Sequence, residues 1–356
     1  MIQGSVSKGW LHGNGGFSFP ESYYFDPLFR LETDGRISGF LAEQFPGYPV
    51  YNMESNLVQA EHAVPGMVYV GGIQPNLILG ALLGADFIFP QGADADITVS
   101  PLRGLSSVRD LPPPDELTSR PLIRRFRDQI EELKREDMTV IPPFFWDLSG
   151  RATIHGFITT AYKLIGEEVF IHMFESPEFL LGLHEWITGA YTVLVRHCAG
   201  LTGLEATSIH IGECSGAMLS AVDFERFIRP FADEMGRAFT AVRFHSCGDS
   251  DHLLESITGI TGIEAVDTGS GTSVARLREL GGPELLIELA PPVELLLTEA
   301  DPEEMKVWVD TVLEENREGP IRFGYHLEPG YNLKCVFALH DRLDERGLPA
   351  KGRRPL

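Results

Sequence analysis

From about residue 150 onward the apolar positions of this chain fall into two alternating rhythms. Short runs rich in β-branched and aromatic residues read as strands: ATSIHI at 206–211, VRFH at 242–245, IEAVD at 263–267, LLIEL at 285–289 and IRFGY at 321–325. Between them, apolar residues recur every three or four positions. Phe224, Phe227, Ile228, Phe231 and Met235 place one apolar stripe along a helix spanning 222–239. The same spacing predicts helices from Ser176-Pro177-Glu178 to about His197, over 252–257 and 273–280, from Asp301-Pro302 to about Arg317, and over 333–345. Ser176 and Asp301, each followed by proline, carry the signature of a helix start. Strands alternating with helices in at least five successive units predict βαβ connections and a parallel sheet. No GxGxxG follows a strand, so a dinucleotide-binding fold has no support. The predicted fold is a (β/α)8 TIM barrel, whose functional groups sit at the C-terminal ends of its strands.

Residues 1 to about 150 follow a different style, rich in glycine, proline and aromatics, as in YYFDPLFR and LPPPDEL. Only 75–85 and 122–135 read as helices there. The aromatic segments 17–29, 45–51 and 144–146 are expected either to form a lid over the barrel or to pack on its outside. The chain reads as one barrel domain, with an irregular N-terminal part over 1–150 and regular βα units over 151–350.

Charge narrows the function. The formal net charge is −22, which argues against nucleic acid, since phosphate backbones call for clustered lysine and arginine. No apolar run approaches the roughly 20 residues needed to cross a bilayer, and the first residues lack the pattern of a secretory signal. No membrane association and a cytoplasmic location are therefore expected. Cys198, Cys214, Cys247 and Cys335 are too few and too scattered for a disulfide scaffold. In a reducing compartment such cysteines are buried, catalytic or metal-bound.

The stretch RFHSCGDSD, 243–251, concentrates the candidate chemistry. His245 and Cys247 fall at the end of a predicted strand, and residues two apart on an extended segment point the same way. An imidazole and a thiolate so placed could grip one zinc ion, and Gly248 would let the chain turn away. The alternative is a packed cysteine beside a hydrogen-bonded histidine. Glu213 and Cys214 follow the preceding strand, so the Glu213 carboxylate would reach the same mouth. His326, Tyr331 and Cys335 lie beyond the last strand. Asp267 ends the strand after His245, either to bind substrate or orient a ligand, or as an ordinary turn residue. Glu288 lies within an apolar run and needs a partner. His210 faces either the barrel interior or the helices. Cys198, late in a long helix, reads as core.

Several consecutive segments carry a resemblance: FESPEFLLGLHEWIT, GECSGAMLSAVDFERFIRPF, FHSCGDSDHLLESIT, LLIELAPPVELLLTEADPEEM and FGYHLEPGYNL. Together, over about residues 140–345, they resemble the uroporphyrinogen decarboxylase superfamily, and within it the cobalamin-dependent methyltransferase branch. The likeness is fainter in YYFDPLFRLETDGRI and GIQPNLILGALLGADF. It implies the same barrel, a zinc ion on His245 and Cys247, and methyl transfer between a small thiol or methylated compound and a corrinoid. The chain shows no Asp-x-His-x-x-Gly motif, so the corrinoid would be free or carried by a separate corrinoid protein. The family's distal cysteine is expected where Tyr331 stands, with Cys335 four residues on. That leaves the third ligand open among Glu213, Cys335, His326 and Tyr331. A set of His245, Cys247, Glu213 and Cys335 is the expectation, with Glu213 and Asp267 as catalytic carboxylates. A metal-free porphyrinogen decarboxylase is the alternative, although the first hundred residues offer few of the arginines a polycarboxylate needs. A corrinoid or metabolite binder without turnover is the non-enzymatic one.

Overall fold

A computed structural model describes residues 2–52 and 66–348. Eight strands form one parallel sheet: β1 Ile2–Val6, β2 Val50–Asn52, β3 Arg151–His155, β4 Ser208–Gly212, β5 Ala241–Ser246, β6 Ile263–Thr268, β7 Leu286–Leu289 and β8 Ile321–Leu327. Their spatial order is β2-β1-β8-β7-β6-β5-β4-β3. Helices cross over between successive strands from β3 onward, and the sheet curls into a TIM-barrel-like half ring. Two short pairs lie apart from it, Val68–Tyr69 with Val140–Ile141 and Phe87–Ile88 with Asp96–Ile97. No helix among the described residues is long and apolar enough to cross a membrane.

The predicted βα units are present with ends shifted by a few residues. Along the long helix Pro177–Thr202, the buried Leu180, Leu183, Ile187, Tyr191, Leu194 and Val195 recur at three- and four-residue spacing. That stripe seats it on the sheet and on its neighbours. Asp301 caps its helix as expected, accepting the Glu303 N–H. Ser176 stands at its helix start, but its hydroxyl pairs with the His172 ring instead. The helix predicted over 222–239 is two helices, Ala221–Phe227 and Arg229–Phe239. Pro230 explains the break: it lacks an N–H and fits only a first helical turn.

Three strands were not legible in the sequence. β1 pairs with both β8 and β2, and β3 pairs with β4. The irregular-looking N-terminal segment therefore supplies two strands of the main sheet. In β1, Gly4 is required by packing, because a Cβ there would lie 2.2 Å from the Tyr325 hydroxyl. The aromatic segments form a buried cluster. Lys8, just past the end of β1, lies over the rings of Phe19, Tyr23 and Tyr24 and pairs with Asp94 at 2.8 Å. Phe25 stacks with Phe126, and Phe45 packs on Trp10. Phe45 and Tyr48 also pack on Phe337 of the helix Leu333–Glu345, and Phe144 on Tyr191 of the helix Pro177–Thr202, so these two segments lie against helices of the barrel.

Candidate metal centre

Because the strands are parallel, one row of residues runs across five of them at the same height. Gly212 pairs with His245, His245 with Asp267, Asp267 with Glu288, and Glu288 with Arg322. Side chains alternate along each strand, so positions two apart share a face. Val242 and Phe244 are buried against the helices, while Arg243 and His245 point into the barrel. The interior is thus a polar lattice rather than the packed apolar layers usual in such barrels.

Three ligand-type side chains converge at the mouth. His245 Nε2 is 2.8 Å from Cys247 Sγ, and Cys247 Sγ is 3.1 Å from Cys214 Sγ. The three donor atoms all lie within 4.8 Å of one another. Each is placed by its local backbone. His245 is the last but one residue of β5, and Cys247 follows just beyond the strand. Gly248 adopts a left-handed φ of 93° that turns the chain away. Gly269 lets the next loop pass close by, since a Cβ there would be 2.9 Å from the Gly248 nitrogen. Cys214 opens the short helical turn Cys214–Met218 directly after β4.

Behind the cluster stands a chain of buried charges. His245 Nδ1 contacts Asp267 Oδ2 at 2.7 Å, and Arg243 Nη2 donates to the same oxygen at 2.7 Å. Arg243 Nη1 meets His210 Nδ1 at 2.7 Å, and Arg243 Nε donates to Glu288. Glu288 also accepts from Arg322 Nη1. Glu288 therefore has its partners, and His210 faces the interior.

This lattice sets the protonation states. Burial resists a charge on His245, but Asp267 and the adjoining Cys214 outweigh it and push the imidazole up to about 10. Asp267 is held well below the usual carboxylate range: burial acts against that, and Arg243 and His245 overcome it. The contact between the two thiols lowers Cys247 and raises Cys214. His210 is kept neutral, first by burial and then by Arg243. The cluster thus already holds one thiol biased toward thiolate, the form that binds metals.

Two expected ligands lie elsewhere. Glu213 is fully buried and turned away from the cluster. Its carboxylate accepts the Ile158 N–H at 3.1 Å, the Thr159 N–H at 3.0 Å and the Thr159 hydroxyl at 2.7 Å. It caps the helix Phe157–Ile165, whose own cap position is Gly156. A Cβ on Gly156 would sit 2.2 Å from Glu213 Oε2, so the glycine clears space for a cap supplied by another strand. Burial pushes Glu213 up to about 7 against those hydrogen bonds. Cys335 is buried on the helix Leu333–Glu345, with its thiol toward the Ala300 carbonyl. His326 pairs with Ser5 and sits near Glu328, and Tyr331 packs against the core. The third member of the cluster is Cys214. The signal was one residue away, since GEC follows β4 as directly as HSC follows β5.

The donor set suits zinc. Two thiols and an imidazole are among its preferred ligands, and three protein ligands leave the fourth tetrahedral position open. Zinc–sulfur bonds of about 2.3 Å put tetrahedral ligand atoms about 3.8 Å apart, so side chains now 2.8 and 3.1 Å apart would part by about 1 Å or less to admit the ion.

The profile of the family described as uroporphyrinogen decarboxylase (URO-D) matches residues 76–339. No curated protein is a significant match by sequence. Among solved structures, a methyltransferase from Methanosarcina mazei is similar, with a TM-score of 0.63 at 15% identity. The match covers 97% of this chain and 94% of that one.

Proposed function

The chain belongs to the uroporphyrinogen decarboxylase family, and on that premise we propose that it is a zinc-dependent methyltransferase moving a methyl group between a small substrate and a corrinoid. The observation that carries the reading is the convergence of Cys214, His245 and Cys247 at the barrel mouth. The likeness in fold to a protein named a methyltransferase adds support.

Cys214, His245 and Cys247 would hold the ion. When bound, zinc supplies Lewis acidity and lowers the pKa of a thiol or water in its open position. The remaining work falls to the chain's own residues. Asp267 fixes the His245 ring through Nδ1, leaving Nε2 for the metal, the usual arrangement behind a ligating histidine. Arg243 anchors Asp267 and so holds the ring's orientation against rotation. Glu288 bridges Arg243 and Arg322, and together with Asp267 it balances the two guanidinium charges.

The test is spectroscopic. The zinc-loaded protein is mixed with methylcobalamin and a panel of small thiols, and separately with cob(I)alamin and a panel of methoxy and methylthio compounds. A corrinoid spectral change that depends on both zinc and substrate is expected. No change across both panels, with CO2 released from a carboxylated substrate by the metal-free protein, would move the assignment to a decarboxylase.

A further inference from the structure

Next to the metal cluster lies a second feature, a cavity of about 210 Å³ inside the barrel. Its walls include Ser5, Arg243, Asp267, Glu288, Arg322 and His326. It exists because the inward position between Arg322 and His326 on β8 is Gly324, and the residue just beyond β7, two past Glu288, is the small Ala290. Sites for drug-sized ligands run to about 300–1,000 Å³, so this space suits a compact molecule.

The two arginines on its wall differ. Arg243 is saturated, with Nε on Glu288, Nη1 on His210 and Nη2 on Asp267. Arg322 makes one hydrogen bond among the described residues, from Nη1 to Glu288, so its Nη2 has no protein acceptor there. A guanidinium nitrogen without a protein acceptor is a ready donor to a carboxylate, with which it forms a charge-assisted hydrogen bond. Ser5 and His326, hydrogen-bonded at 2.8 Å, offer further polar contacts. The four charges of Arg243, Arg322, Asp267 and Glu288 cancel, which disfavours a multiply charged guest between them. Asp267 both lines the cavity and holds His245, so the cavity adjoins the metal ligands.

We propose that this cavity binds the carboxylate of a compact monocarboxylic acid on Arg322, directing the acid's methyl-bearing or methyl-accepting end toward the Cys214–His245–Cys247 cluster. The assignment of substrate class rests on the methyl-transfer reading, but binding is separable from it. The probes are 3-methoxypropanoate and 3-mercaptopropanoate, each beside its primary amide, titrated calorimetrically into zinc-loaded wild type and into the metal-site variant Cys214→Ser/Cys247→Ser. The expected result is saturable binding of 3-methoxypropanoate to both proteins, with the amide weaker by about ten- to a hundredfold. Arg322→Lys should weaken the acid by a similar factor and leave the amide unchanged. The double variant Arg322→Gln/Glu288→Gln, which removes both members of the ion pair, should abolish the preference for the acid. Acids and amides binding equally, no binding of either acid to wild type, or an acid preference that survives loss of Arg322 would each overturn the proposal. Acid binding without methyl transfer would leave it standing and remove only the reading of the reaction.

Discussion

Removing the Glu213 carboxylate separates the role that its position in the sequence suggests, metal ligand, from the one the fold gives it. Three donors in the first turn of the helix Phe157–Ile165 point at this side chain: the Ile158 and Thr159 N–H groups and the Thr159 hydroxyl. Gly156 offers no side chain to replace it. Glu213→Ala therefore loses a helix cap, worth about 1 kcal/mol. It also leaves buried donors unpaired at about 1–3 kcal/mol each. Counting the cap and the two N–H donors, with the Thr159 hydroxyl free to turn elsewhere, a total of about 3–7 kcal/mol is expected, with Glu213→Gln costing about 1–3 kcal/mol because it keeps one acceptor oxygen. Urea unfolding followed by far-UV circular dichroism measures the loss. Metal analysis of the folded fraction shows whether the ion stays. The expected outcome is a less stable protein with undiminished metal per folded chain. A cost below about 1 kcal/mol, or a stable fold that has lost its metal, would refute the capping role.

Other expectations follow from the same geometry. His184 is buried, and burial holds it down to about 4 even though its Nδ1 contacts the Phe227 carbonyl. Its folded pKa lies below the ordinary 6.5, so its contribution is complete above about pH 6.5 and is lost as pH falls toward 4, by about 3 kcal/mol in all. His184→Gln should flatten that limb when urea midpoints at pH 7 and pH 4.5 are compared; an unchanged slope would contradict the assignment. Asp267→Asn should weaken zinc binding by about ten- to a hundredfold, read by competition with a chromophoric chelator, and unaltered affinity would show that the His245 ring needs no support. Cys335→Ala should leave the zinc stoichiometry unchanged, and a fall in a folded variant would restore Cys335 as a ligand.

The regular half of the barrel was legible because its helices and strands differ in period and its strands are bounded by turn residues. β1, β2 and β3 were not. VYN is short, IQGSV and RATIH hold only two apolar residues each, and their pairing partners lie far along the chain, so tertiary contacts decide their conformation. His245 and Cys247 were legible from position alone, through strand end and two-residue spacing. Cys214 was harder to read. Glu213 and Cys214 both follow β4, and nothing local says which turns inward. The choice is made by Gly156 and the open N-terminus of the helix beside it, which take the carboxylate and leave the thiol to the mouth. Arg243 could have been found by the same two-residue step back from His245. Arg322 shows its place only once strand register is known.

Zinc content is the most direct measure of the central claim, that Cys214, His245 and Cys247 form one metal centre. Wild type and the Cys214→Ser/Cys247→Ser variant are purified with zinc supplied, and metal per chain is determined by mass spectrometry beside circular dichroism to confirm folding. The account predicts about one zinc per wild-type chain, as a three-ligand site requires, and essentially none in the variant. A folded wild type that takes up no zinc, or a variant that keeps it, would contradict the account.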